Sequence, residues 1–266
     1  MNLPLYQVDA FTSALFSGNP AAVCPLEAWL PDTVMQAIAA ENNLSETAFF
    51  VGEGGEYRLR WFTPRIEVDL CGHATLASAY VIFNHLEPTR AVLSFATRSG
   101  WLQAHRDKEA VILDFPAKTA HPCEPPADLL AAIGRQPRSV LVNEDTFMLV
   151  YDHADEVNAL RPNFAALESA GHYVIATAPG QDVDFVSRFF AAPAGIPEDP
   201  VTGSAHCLLA PYWHQILGRD TLKARQLSKR GGELTCLLQQ DRVLIRGHCV
   251  LYLQGMIHLY ASTPTS

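Results

Sequence analysis

Two stretches of this chain are apolar on nearly every helical face: LASAYVIF, which follows LCGHAT at residues 70–75, and AHCLLAPYW, which follows VTGS. A helix without a polar face has to be buried all round. Each is therefore expected to run through the middle of a curved sheet, which excludes folds that lay their helices on a surface. Pro211 lies inside the second stretch and is expected to kink that helix or end its first turns, because proline has no N–H for the helical ladder.

The two stretches also open alike. Cys71-Gly72-His73-Ala74 falls on Thr202-Gly203-Ser204-Ala205, and an acid precedes each copy at the same offset, Glu67 and Glu198. The segments around the copies run in the same order. In the first half, strand YQVDAF, a turn at SGNP and a helix near residues 31–41 lead to strands TAFFV and YRLRWFT. The helix GHATLASAYVIF and strands VLSFA, WLQAH and VILDF follow. After the proline-dense segment FPAKTAHPCEPP come helix ADLLAAI and strands near SVLVN, FMLVYD and YVIATA, then a segment ending in FVSRFFA. The helix SAHCLLAPYWHQIL precedes strands LKARQLS, ELTCLLQ, DRVLIRG and MIHLY. Strands, a central helix, then more strands in each half is an α+β order, distinct from alternating βα units. The repeated order is that of a duplication, with halves expected at residues 1–116 and 117–255.

Composition narrows the function. A net charge of −9 over 266 residues speaks against nucleic acid or an anionic membrane as the main partner, because binding phosphates needs clustered Lys and Arg. No apolar run approaches the roughly 20 residues that span a bilayer. The start MNLPLYQVDAF has no basic region before its apolar residues and is expected to be a first strand, not a signal peptide. The six cysteines (24, 71, 123, 207, 236 and 249) form no CxxC pair, so reduced thiols and a cytoplasmic location are expected. GEGGE at residues 52–56 fits neither GxGxxG nor a P-loop, and no nucleotide cofactor is expected.

What remains is anion binding and proton transfer. A buried helix start leaves N–H groups unpaired and carries partial positive charge, and glycine lets an anion come close. Gly72 and Gly203 are thus candidate seats for a substrate carboxylate; tight packing that merely requires glycine explains them equally. Glu46, in NNLSETAFF, enters an apolar strand, where partial desolvation suits it to shuttle protons; an exposed turn acid is the plainer alternative. His73 sits where the helix dipole disfavours its protonated form, as a neutral donor, a relay, or simply a packed residue. Asp199 is a dipole partner of the second helix, and Ser204 binds substrate or satisfies the helix end. Cys71, beside a helix N-terminus, is expected to have a lowered pKa and is a possible reactive thiol. His73, His206, Cys71 and Cys207 lack a zinc-type spacing, so no metal is expected.

YQVDAFTSALFSGNPAAV, NNLSETAFF, WFTPRIEVDLCGHATLASAYV and EDPVTGSAH…PYW together resemble the PhzF family of phenazine biosynthesis-like isomerases, in family order from residue 6 to residue 213. The resemblance implies a diaminopimelate-epimerase-like fold of two pseudo-symmetric α+β halves. Each would be a curved, barrel-like mixed sheet around a central buried helix, with the active site in the cleft between them. It further implies that the last strand, placed at residues 256–266, returns to complete the first half, that the protein is a homodimer, and that it uses neither cofactor nor metal. Glu46 in SETAF matches the family's proton-shuttling acid. His73, Asp199 and Ser204 match its supporting polar residues, and Asn19 in SGNP joins Gly72, Gly203 and Ser204 as substrate-binding candidates. Diaminopimelate epimerases carry cysteines on both sides of the cleft; here Cys71 fits one and Thr202 replaces the other. The expected activity is proton transfer on a small carboxylate-bearing substrate. The alternatives are an idle binding or scaffold protein and a Cys71-dependent epimerase or racemase.

Overall fold

The computed structural model of the protein describes residues 1–259. Its first half contains strands β1 (Asn2–Ala10) and β2 (Asn19–Leu26), helix α1 (Asp32–Asn42), strands β3 (Glu46–Glu53), β4 (Glu56–Phe62) and β5 (Glu67–Val68), and helix α2 (Gly72–Val81). Strands β6 (Val92–Thr97), β7 (Gly100–Asp107) and β8 (Ala110–Pro116) complete it. The second half begins with β9 (His121–Pro122), α3 (Ala127–Ile133), β10 (Ser139–Asn143), β11 (Thr146–Val150), α4 (Ala154–Asn158) and α5 (Phe164–Ala170). It continues with β12 (Tyr173–Pro179), β13 (Phe185–Ala191), β14 (Ile196–Asp199), α6 (Gly203–Leu217), β15 (Thr221–Gln226), β16 (Gly232–Gln239) and β17 (Arg242–His258). No helix among the described residues is long and apolar enough to cross a membrane.

The halves repeat one pairing order. In the first, β1–β2 is antiparallel, β2–β3 parallel, β3–β4 antiparallel and β4–β6 parallel; β6–β7, β7–β8 and β8–β17 are antiparallel. In the second, β10–β11, β11–β12, β12–β13, β13–β15, β15–β16 and β16–β17 follow with the same orientations. Strand β17 serves both. Residues 242–248 pair with β8, and 242–246 also with β16. Residues 249–258 then run along β1, which closes the first half into a barrel of eight strands.

The sequence reading divided this segment into DRVLIRG and MIHLY, but it is one strand. Gly247 allows the passage: a Cβ there would lie 2.5 Å from Phe11 Cδ1 and 2.9 Å from Leu76 Cδ2. The part of the expected last strand at residues 260–266 lies outside the described residues. Strand β2 and the short helices α4 and α5 had no distinct signal in the sequence.

Helix α2 is buried along nearly its whole length, against β1, β2, β3, β8 and β17. Its hydroxyls do not need water: Thr75 Oγ1 donates to Cys71 O at 2.5 Å and Ser78 Oγ to Ala74 O at 2.7 Å. Leu76, Val81, Ile82 and Phe83 are at most 1% exposed, and each contributes roughly 1.5–3 kcal/mol by leaving water. Of the two expected effects of Pro211, a kink or an end to the first turns, the second does not occur: helix α6 continues through it to Leu217. The carbonyl that Pro211 cannot engage, Cys207 O, accepts the Lys118 N–H at 2.9 Å from the connecting segment.

The two buried helices meet at their starts. A Cβ on Gly72 would lie 3.1 Å from Gly203 Cα, and one on Gly203 would lie 3.3 Å from Gly72 Cα. Neither neighbour is a side chain that can turn aside, so Gly72→Ala and Gly203→Ala should each destabilise the protein by about 1–3 kcal/mol, read by denaturant unfolding. Unchanged midpoints would mean that the helices have room to separate.

Candidate active site

The strand pairs that lead into these helices are braced alike. Arg60 on β4 donates Nε–H and Nη2–H to the two oxygens of Glu67 on β5, both at 2.7 Å. Arg188 on β13 does the same to Glu198 on β14, at 2.7 and 2.8 Å. The acids that precede each Gly motif are thus held in matching bidentate clamps, a rigid planar geometry, and they line up the helix starts instead of facing the cleft. The N-cap residues Cys71 and Thr202 make no side-chain cap. The first N–H groups of both helices therefore lack the usual partner where Gly72 and Gly203 meet.

Around this junction lies a cavity of about 200 Å³. The first half contributes Glu46, Cys71 and His73, and the second contributes Asp199, Thr202 and Ser204. Val68, Leu70, Tyr173, Phe189 and Ile196 form apolar walls, with the Tyr173 and Phe189 rings stacked at 6.4 Å. Glu46 opens β3 and its Oε2 lies 3.0 Å from His73 Nε2, yet neither atom has an aligned hydrogen bond although both are buried. His73 Nδ1 lies 3.5 Å from Cys71 Sγ. The ring thus stands between thiol and carboxylate in the order of a proton relay. Ligating atoms of Glu46, Cys71 and His73 fall within 4.8 Å of one another, a grouping that the sequence spacing did not reveal.

Asp199 ends β14. Its Oδ1 accepts from Asn19 Nδ2 at 2.7 Å and its Oδ2 from Thr202 Oγ1 at 2.5 Å. Asn19 is fully buried behind it and also donates to Val201 O at 2.9 Å, so the structure places Asn19 against Asp199 and not on the cavity wall. Gln226 was not anticipated. Its Oε1 accepts the Thr202 N–H at 2.9 Å, and its Nε2 donates to Asp199 O at 2.7 Å. It comes from a strand without a local motif, and only its fully buried amide marks it. Gly72, Gly203 and Ser204 all line the cavity, and the Ser204 hydroxyl has no protein partner among the described residues.

Electrostatics correct two expectations. Burial, and then the Glu46 carboxylate, push the Cys71 thiol up to about 11, so it holds its proton at neutral pH instead of being acidified by the helix. Burial also opposes a charged His73. The acidic groups on either side of the ring, Cys71 and Glu46, outweigh it and raise the imidazole well above its usual value. Burial lifts Asp199 to about 6 against the charge of His73; Glu46 adds to the lift, and the bonds from Thr202 and Asn19 oppose it. His206, whose Nδ1 lies 2.7 Å from Thr202 O, is pushed down by burial to about 4.

A family model described as phenazine biosynthesis-like protein (PhzC-PhzF) matches residues 8–255. A Pseudomonas aeruginosa protein named as an uncharacterized isomerase is 52% identical over 260 residues, which covers 97% of this chain and all of that one. The crystal structure of a PhzF-family protein from Enterococcus faecalis superposes with a TM-score of 0.93 at 46% identity, over 97% of this chain and all of that one. A probable proline racemase from Agrobacterium radiobacter shares the fold, with a TM-score of 0.65 at 12% identity, over 99% of this chain and 94% of that one.

Asp199 gives the fold a signature in pH. A carboxyl whose folded pKa exceeds its unfolded value binds more protons folded than unfolded between the two. Its contribution to stability is complete below 3.8 and is lost as pH rises through about 6. The loss amounts to about 3 kcal/mol. His206 acts in the opposite sense, losing stability as pH falls from 6.5 toward 4, and it is common to both proteins, so it drops out of the difference between them. Denaturant unfolding of Asp199→Asn should gain on the wild type by up to that amount between pH 4 and 7. A difference independent of pH would contradict the assignment.

Proposed function

The chain belongs to the phenazine biosynthesis-like family of isomerases, and from there we propose that it moves a proton on a small carboxylate-bearing substrate by acid–base catalysis through Glu46, without a cofactor. The observation that carries this reading is the buried Glu46 Oε2. It has no aligned hydrogen bond and lies 3.0 Å from His73 Nε2, at a cavity into which two uncapped helix starts open.

In this mechanism the substrate carboxylate lies against the N–H groups at Gly72 and Gly203, with the Ser204 hydroxyl as a further donor. Those fixed dipoles stabilise the negative charge that develops when the adjacent carbon loses its proton, and they need no reorganisation during reaction. Glu46 removes that proton and returns it at a second position. His73 holds the Glu46 carboxyl at 3.0 Å, and its raised pKa favours the charged ring beside it. Asp199, near 6, exchanges protons readily at neutral pH. The stacked Tyr173–Phe189 pair favours a flat or unsaturated substrate body. A homodimeric, cytoplasmic enzyme is part of the same proposal.

A second reading gives Cys71 the proton transfer, supported by its 3.5 Å approach to His73 Nδ1. The raised thiol pKa weakens it, since a thiol near 11 is a poor base at neutral pH. Carbon-bound hydrogen exchange in D2O, followed by NMR over small unsaturated ring carboxylates and α-amino acids, separates the two. Glu46→Gln should lower the exchange rate by about 10²–10⁴-fold, and Cys71→Ala should stay within about tenfold of wild type. Loss confined to Cys71→Ala would transfer the role to the thiol. Binding without exchange on any member of the panel would favour a binding protein.

A further inference from the structure

Two turns face each other across the cavity mouth. The first, residues 63–66 between β4 and β5, is braced by Thr63, whose Oγ1 accepts the N–H groups of Arg65 and Ile66 at 3.1 and 3.0 Å. The second, Ala192–Ala194 with Gly195, occupies the matching place between β13 and β14. Thr63, Ala194 and Ile196 line the cavity, so Arg65 and Gly195 sit at its rim. They touch: a Cβ on Gly195 would lie 3.1 Å from Arg65 Nη1 and 3.4 Å from both its Cδ and Cζ. Gly195 has φ +79°, a left-handed conformation that favours glycine. The missing side chain is what gives the guanidinium its seat on the opposite half.

That guanidinium has no partner. Every other arginine among the described residues meets a carboxylate, a carbonyl or an aromatic ring. Arg65 is exposed and meets none of these. In a chain of net charge −9, an unpaired cation resting on Gly195 beside the cavity is a local attractor for anions. Its planar fork of donors suits a carboxylate or phosphate.

We infer that Arg65 is a specificity-determining residue that pairs with a second anionic group on the substrate, at the cavity mouth, while the first carboxylate lies against Gly72 and Gly203. The substrate class is accordingly a small dianion with a flat or unsaturated middle, sized to a cavity of about 200 Å³. This rests on the reading of the helix starts as a carboxylate seat, and the test separates the two.

The probes are benzoate, with one carboxylate, and benzene-1,3- and 1,4-dicarboxylate, with two, titrated calorimetrically into wild type, Arg65→Ala and Arg65→Lys. Wild type should bind its better dicarboxylate at least about tenfold more tightly than benzoate, a difference of about 1.4 kcal/mol, and raised salt should narrow the gap. Arg65→Ala should bind benzoate as wild type does and lose the preference; Arg65→Lys, a point charge without the fork, should keep part of it. An unchanged preference in Arg65→Ala, or none in wild type, overturns the assignment of Arg65 while the carboxylate seat stands. If wild type binds none of the three, the seat itself fails, and the role of Arg65 fails with it.

Discussion

The structure depends on the contact between the backbones of Gly72 and Gly203, where two helices buried inside two curved sheets meet start to start. Each helix is too apolar to lie on a surface, and each start is left uncapped because it points inward. Any side chain at either glycine would hold the helices apart. The same approach concentrates the positive ends of two helix dipoles at one place. Packing and anion binding are therefore not alternative explanations of these glycines: close packing creates the electropositive junction.

On this symmetric scaffold the chemistry is asymmetric. The equivalent pairings of β2 with β3 and of β11 with β12 place Glu46 and Tyr173 at matching strand starts, and both line the cavity. Cys71 is matched by Thr202 and His73 by Ser204. One wall holds thiol, imidazole and carboxylate in a row; the other holds Thr202 fixed by Asp199 and Gln226. The elements that must be alike have stayed alike: the pairing order, the Arg60–Glu67 and Arg188–Glu198 clamps and the paired glycines. The side chains that touch the cavity differ between the halves.

Much of this was legible in the sequence because it follows from local pattern. All-round apolar helices announced burial, and the doubled Gly motif announced the two halves. The family resemblance, more than any local pattern, implied a common site for Glu46, His73 and Asp199, and all three line one cavity. What escaped depended on distant partners. Asn19 lies behind Asp199, 180 positions away in the chain, and Gln226 reaches Thr202 from a strand with an ordinary alternation. The pKa values of Cys71 and His73 moved against expectation because local reasoning sees the helix dipole but not the burial or the carboxylate brought in from β3. Pro211 did not break its helix because Lys118 supplies a donor from the connection between the halves.

The central claim is that the joined helix starts form the seat for a substrate carboxylate. Amide 15N–1H spectra recorded during titration with benzoate test it most directly. The account predicts saturable shifts at Gly72, His73, Gly203 and Ser204, all four following one binding curve, and the same four shifts in Arg65→Ala. Saturable binding that leaves these amides unmoved while others respond would contradict it.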